Sequence, residues 1–274
     1  MNIGIIGTGN MGRIIVEALI DGKATSPSSL IVTNRTKSKA MLLKDKYKGI
    51  RLGANAEEVA TLSDVLFICV KPLDVNTVLE KISPYLGPEK CLISITSPIS
   101  TDQLEKLVSC SVIRVIPSIT NRALAGVSLV TYGDRCSDQW KAKINKLISK
   151  ISVPVCIEED ITRVSSDIVS CGPAFFSFLL QGFIQAAVKE TKIDHETATI
   201  FASEMIVGLG ELLKQGHYTL PSLQEKVCVK GGITGEGIKV LESELGLVFE
   251  HLFQATHAKF KDELAKVELQ FSNL

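Results

Sequence analysis

A glycine-rich turn near the N-terminus constrains this chain more than any other feature. Gly7-Thr8-Gly9-Asn10-Met11-Gly12 directly follows the apolar run Asn2–Ile6 and opens the helical pattern Met11–Asp21. In a strand–turn–helix setting, each glycine of a GxGxxG has a physical task. The first permits the tight turn, the second lets the backbone approach a pyrophosphate, and the third lets helix and strand pack closely. The helix N-terminus then offers amides and a positive dipole to phosphate oxygens. Gly7, Thr8, Gly9, Asn10, Met11 and Gly12 are therefore the first cofactor-binding candidates.

The end of the next strand discriminates between dinucleotides. An acidic residue there binds a ribose 2′-OH, whereas arginine favours a 2′-phosphate. The chain reads Asn34-Arg35-Thr36-Lys37, with no acid until Asp45. Arg35 can stack on adenine and pair with phosphate through its planar fork, Thr36 can donate a hydroxyl, and Lys39 adds charge. The expected cofactor is NADP(H).

Downstream, β-branched runs alternate with amphipathic stretches as far as residue 160, the pattern of βαβ units. Candidate strands are Asn2–Ile6, Leu30–Asn34, Gly49–Leu52, Val65–Val70, Cys91–Ile95, Val112–Ile116, Val127–Tyr132 and Val153–Cys156. Candidate helices between them are Met11–Asp21, Lys37–Lys46, Val75–Tyr85, Thr101–Leu107 and Asp138–Ser149. From Ile161 only helical periods follow: Ile161–Thr191, His195–Gln215, Ser222–Val227, Gly235–Leu245 and Leu247–Val267. The expected fold is α/β: a doubly wound, mostly parallel Rossmann sheet over residues 1–160, then an all-helical domain over 161–274. Phe175, Phe176, Phe178, Leu179, Leu180, Phe183 and Ile184 surround most of one helix, so a homodimer through the helical domain is expected. The active site is expected in the cleft between the two domains.

Composition narrows the partners. Thirty basic residues balance thirty acidic ones, which argues against nucleic acid and anionic membrane and in favour of a small-molecule substrate. The start MNIGIIGTGNMG lacks a basic stretch before its apolar run and is not expected to act as a signal peptide. The apolar runs Phe175–Leu180 and Phe183–Val188 are interrupted by Gln181 and Gly182 and fall short of a membrane span. Seven dispersed cysteines without a CxxC pair suit reduced thiols in the cytoplasm. The four histidines lack metal-ligand spacing, so no metal site is expected.

Five motifs together give the chain a resemblance to the pyrroline-5-carboxylate reductase family over essentially its whole length. Ile3 to Gly12 resembles that family's opening, and Asn34-Arg35-Thr36 its NADP-preferring turn. Val70-Lys71-Pro72 resembles the Val-Lys-Pro near the nicotinamide ribose. Gly172-Pro173-Ala174-Phe175 resembles its Gly-Pro-Ala-aromatic motif. Gly231-Gly232-Ile233-Thr234 resembles its carboxylate cradle, with Val229 and Lys230 beside it. The resemblance implies reduction of 1-pyrroline-5-carboxylate, or a related cyclic imino acid, to L-proline by hydride transfer. A Gly-Gly turn opening a helix presents unobstructed amides to a carboxylate. Thr234 is the catalytic candidate, placed to hydrogen-bond the ring nitrogen; its alternative role is N-cap of the helix that follows.

Several positions depart from the family. Ile116-Pro117-Ser118-Ile119-Thr120-Asn121 stands where the family has Met-Pro-Asn-Thr-Pro-Ala, in a loop expected beside the nicotinamide. Val229-Lys230 replaces Ser-Pro, Cys171 stands at a usual Ser, Gln181 at a usual Glu, and Glu225 at a usual Asp. These departures resemble a divergent branch such as the homologue associated with late competence operons. They leave a second reading open, an NADP-binding regulatory or sensory homologue without turnover. A β-hydroxyacid dehydrogenase is the third. It commonly uses a lysine on the first long interdomain helix, and residues 161–188 contain none.

Overall fold

The eight apolar runs all form strands. The computed structural model describes residues 1–271. From the N-terminus come β1 (Ile3–Ile6), α1 (Asn10–Asp21), β2 (Leu30–Thr33), α2 (Lys37–Lys46), β3 (Arg51–Leu52), α3 (Ala56–Leu62), β4 (Val65–Ile68) and α4 (Pro72–Ile82). Then follow β5 (Cys91–Ser94), α5 (Thr101–Glu105), β6 (Ser111–Ile116), a 3-10 turn at Ile119–Ala123, β7 (Val127–Tyr132), α6 (Asp138–Ile148) and β8 (Val153–Cys156). The strands make one sheet in the order β3-β2-β1-β4-β5-β6-β7-β8. It is parallel except where β7 runs against β6, with β8 parallel to β7. Reversal of strand order beside β1 is the doubly wound topology, which leaves a crevice at the carboxyl ends of the strands.

Both faces of the sheet are covered. Val16 and Leu19 of α1, Leu43 of α2 and Ile144 of α6 pack on one. Val59 of α3, Leu79 of α4 and Leu104 of α5 pack on the other. Helix α3 has no counterpart among the helices expected from the sequence. It is short and starts at an Asn55 cap whose side chain accepts from the Glu58 amide at 2.8 Å.

The remaining helices are α7 (Thr162–Ser166), a π-helical stretch Asp167–Cys171, α8 (Gly172–Glu190), α9 (His195–Lys214), α10 (Leu220–Val227), α11 (Ile233–Glu244) and α12 (Val248–Phe271). The compact units do not divide at 160/161. One comprises Met1–Pro173 and the chain from Ala255 onward, the other Ala174–Gln254. Side chains explain the later boundary. Ser118 Oγ donates to the Val169 carbonyl at 2.7 Å and Ser170 Oγ to the Pro117 carbonyl at 2.8 Å, stitching the π-helical stretch to the loop after β6. At the far end, Val267 is buried in the sheet's second core, and Gln270 donates to the Leu73 carbonyl at 3.3 Å.

In the second unit, Ile184 of α8 packs with Ala198 and Ala202 of α9. Phe176, Phe178, Phe183 and Phe201 are left at 63–76% exposure. The helix is continuous through Gln181 and Gly182, and the Gln181 side-chain Nε2 donates to the Ser177 carbonyl at 3.2 Å. By length and composition alone, the run Glu159–Glu190 is therefore long and apolar enough to cross a membrane, contrary to the grouping of its apolar residues in sequence.

Arg114 on β6 is fully buried. Its guanidinium makes two 2.7 Å bonds to Glu159 and one of 2.7 Å to Thr162 Oγ1, and also donates to Thr131 Oγ1 at 3.1 Å. Glu159 is half exposed, so the two partners are not equivalent. Glu159→Gln leaves a buried guanidinium without its counter-charge and is expected to cost about 2 kcal/mol in urea unfolding. Arg114→Met frees a carboxylate that water can solvate and should cost less. The reverse order would contradict this account of the pair.

Candidate functional site

The glycine turn behaves as its spacing predicts. Gly7 has φ +98°, and a β-carbon there would lie 2.6 Å from the Cys69 carbonyl oxygen. At Gly12 a β-carbon would collide with the Gly7 carbonyl. Gly9 is different: nothing lies within 4 Å of the position its side chain would take. It opens α1 with no side-chain cap, so the first-turn amides stay available to an anion. The Thr8 amide donates to Asn34 Oδ1 at 2.9 Å, and Asn34 Nδ2 donates to the Thr36 carbonyl at 3.0 Å. Asn34 thus clamps the glycine turn to the end of β2. Thr8 is buried, and its Oγ1 has no hydrogen-bond partner among the described residues. A buried hydroxyl without a partner beside open backbone fits a polar ligand.

Arg35, Thr36 and Lys39 are exposed just past β2. Parallel pairing of β1 with β2 and β4 brings Gly7, Asn34 and Val70 to one edge of the sheet. Lys71 caps α4 and is exposed, and Pro72 is the first residue of that helix. Asn10 and Met11 lie in the first turn of α1. Next to them, burial pushes the Cys69 thiol up, so it stays protonated.

The loop after β6 leaves the same edge, because β4, β5 and β6 are parallel. Although its residues differ from the family's, Asn121 and Ser118 tie it together. The Ser118 amide donates to Asn121 Oδ1 at 2.8 Å, and Asn121 Nδ2 donates to the Ala125 carbonyl at 3.0 Å. Ser128 Oγ adds a bond to Asn121 Oδ1 at 3.2 Å.

A cluster absent from the sequence expectations lies beneath this loop. The Glu17 side chain of α1 is 4% exposed and meets Lys46 Nζ at 2.8 Å, Arg122 Nε at 2.9 Å and Arg13 Nε at 3.2 Å. Arg122 also reaches Asp21 at 2.8 Å. Only the i,i+4 spacing of Arg13 and Glu17 hinted at it. Burial pushes the Glu17 carboxyl up, but the bonds and charges of Lys46 and Arg13 outweigh that and hold it below the ordinary range. A depressed carboxyl stabilises the fold above its unfolded value, and that contribution is lost as pH falls through the folded value. The stability gap between wild type and Glu17→Gln should therefore be full near neutral pH and narrow below about pH 4. Chemical denaturation across pH checks it; a gap that widens in acid would refute the ion-pair origin.

In the second unit, Gly231 has φ +74° and Gly232 is the N-cap of α11, without a side-chain cap. Thr234 is the second residue of α11 and therefore not its N-cap, which removes the structural alternative considered for it. Val229, Lys230, Ile233 and Thr234 are exposed around this helix start. Val229 accepts from the Gly232 amide at 2.9 Å through its carbonyl, closing the turn. Cys171, at the usual serine, lies 3.5 Å from Arg163 Nη2; burial pushes its thiol up, against the pull of Arg163.

A doubly wound sheet with a dinucleotide-type glycine turn, followed by a helical unit, defines the class of NAD(P)-dependent oxidoreductases. Residues 2–98 match the family described as "NADP oxidoreductase coenzyme F420-dependent", and residues 159–263 match "Pyrroline-5-carboxylate reductase dimerisation". ComE operon protein 4 of Bacillus subtilis is 55% identical over 99% of each chain. The pyrroline-5-carboxylate reductase of Aquifex aeolicus is 30% identical over 89% of this chain and 90% of its own. The chain belongs to the pyrroline-5-carboxylate reductase family. Its fold is shared by the pyrroline-5-carboxylate reductase of Coxiella burnetii (TM-score 0.84, 24% identity, 97% and 98% covered). It is shared too by the Plasmodium falciparum pyrroline carboxylate reductase, solved with NADP bound (TM-score 0.82, 23% identity, 97% of each chain).

Proposed function

We propose that this chain is a cytoplasmic, homodimeric, NADPH-dependent reductase that converts 1-pyrroline-5-carboxylate, or a closely related cyclic imino acid, to L-proline. The observation that carries the cofactor half is the glycine turn: open at Gly9, capped by no side chain, and lined by the unpartnered hydroxyl of Thr8. These features suit a diphosphate, and Arg35, Thr36 and Lys39 suit a 2′-phosphate. Val70, Lys71 and Pro72 are assigned to the nicotinamide half. The cofactor, when bound, supplies the hydride. On the substrate side, the Gly231–Gly232 turn and the start of α11 hold the carboxylate. Ile233 completes that turn, and the Thr234 hydroxyl bonds the ring nitrogen. Lys230 adds charge where the family has none. The dimer follows from the four exposed phenylalanines of α8 and α9, which lie within the residues matched by the dimerisation family.

One observation favours a second reading, an NADP-binding regulatory homologue without turnover. Val229 brings no hydroxyl to the cradle, and a lost donor costs about 1–3 kcal/mol of binding.

NADPH oxidation with 1-pyrroline-5-carboxylate, with proline quantified, tests both. Turnover is expected, with kcat/KM lowered about tenfold or more in Thr234→Ala. Tight NADPH binding without any proline would select the second reading. Gly9→Val should raise the NADPH Kd at least about tenfold while leaving the thermal midpoint nearly unchanged, because its side chain enters open space. Equal affinity in Gly9→Val would remove the phosphate from this turn. Light scattering should give twice the 29.7 kDa chain mass.

A further inference from the structure

The loop after β6 carries the heaviest departures from the family, yet it is fixed on two sides. Toward the π-helical stretch, Ser118 and Ser170 exchange hydrogen bonds with the backbone, as described above. Toward the cofactor helix, its ionic anchor among the described residues is Arg122, whose Nε lies 2.9 Å from Glu17 Oε2 and whose Nη1 lies 2.8 Å from Asp21 Oδ2. The other oxygen of Glu17 takes Lys46 from the last turn of α2, at 2.8 Å, and Arg13 from its own helix. One buried carboxylate therefore joins three elements. They are α1, whose start forms the glycine turn; α2, whose start carries Arg35, Thr36 and Lys39 at its edge; and the loop Ser118–Ala123.

We propose that Glu17 is a positioning residue that fixes the 118–123 loop to the cofactor helix through Arg122, so that the loop's register against the nicotinamide half depends on this ion pair. The nicotinamide part rests on the cofactor assignment above. The physical case is geometric. A guanidinium bonded to two carboxylates one helical turn apart has its orientation set, not only its charge satisfied. Glu17 itself has only 4% exposure, so it cannot turn to water when a partner is lost. Because Arg122 is 40% exposed, its removal leaves no buried cation and no large cavity, and the loop's freedom changes more than global stability does.

The test uses the full chain and four variants: Arg122→Leu, Arg122→Lys, Glu17→Gln and Lys46→Met. Amide hydrogen exchange is read in the 118–126 segment and, as an internal reference, in β1 and β4. Exchange in the loop is expected to rise at least tenfold in Arg122→Leu with the reference strands unchanged, and in Glu17→Gln to rise at least tenfold more than in the reference strands, which report that variant's loss of global stability. It should return to within about threefold of wild type in Arg122→Lys and stay at wild type in Lys46→Met. Nicotinamide fluorescence of bound NADPH should shift in the first two variants, with Kd within about threefold in Arg122→Leu. Unchanged loop exchange in both Arg122→Leu and Glu17→Gln overturns the proposal. So does acceleration of loop and reference strands by the same factor, which is the mark of a purely structural role. A wild-type chain that binds no NADPH overturns the cofactor assignment and the nicotinamide part with it, while loop exchange still decides whether Glu17 fixes the loop.

Discussion

Helix α1 lies low on the sheet because residue 12 has no side chain. Any β-carbon there would run into the Gly7 carbonyl and crowd Cys69, lifting the helix off β1 and β4. Two consequences follow from this single close approach. The first turn of α1 is brought to the end of β1, beside Thr8, and its start carries no side-chain cap. One turn further, the helix is pressed in so far that Glu17 has nowhere to go but the interior, where a carboxylate survives only among cations. The uncapped helix start and the buried carboxylate thus share one packing origin.

Much of the fold is legible in sequence because strands in a two-sided sheet must be apolar throughout. Runs such as Ile3–Ile6, Leu30–Thr33 and Val65–Ile68 admit no other reading between glycine and asparagine turns. Helix α3 escaped because it is short and its first turn is acidic, so its few buried residues, Val59 and Ala60, give too little periodicity. The compact units depart from a division at residue 160 for a different reason. Change of composition marks where strands stop, whereas compactness depends on tertiary bonds such as Ser118 to Val169, which no local pattern announces. The same holds for the site. The glycine turn and the Gly231–Gly232 turn stand out because glycine has few other uses at such spacing. Arg122 and Glu17 lie far apart in the chain, and nothing in the sequence pairs them.

The departures from the family form a coherent set in the loop after β6 and an incomplete one at the start of α11. In the loop, Asn121 bonds the Ser118 amide and the Ala125 carbonyl, Ser118 reaches Val169, and Arg122 reaches α1, so the changed residues have found new partners. Beside Gly231, by contrast, Val229 and Lys230 are exposed, and the apolar Val229 side chain lies over Gly232, where a β-carbon would meet it at 2.8 Å. The loop after β6 has been rebuilt around new bonds, and the start of α11 has been altered without them. That contrast is what separates a reductase with shifted substrate preference from a homologue that keeps only nucleotide binding.

The last turns of α12 bring a final consequence. Val267 belongs to the core beneath the sheet, and Gln270 is bonded to the turn that starts α4. These residues are synthesised after the whole of the second unit, so the sheet's second core is completed only once the chain beyond Gln254 has been made. Completion of the sheet's packing is therefore coupled to a segment that the chain supplies only after an intervening compact unit.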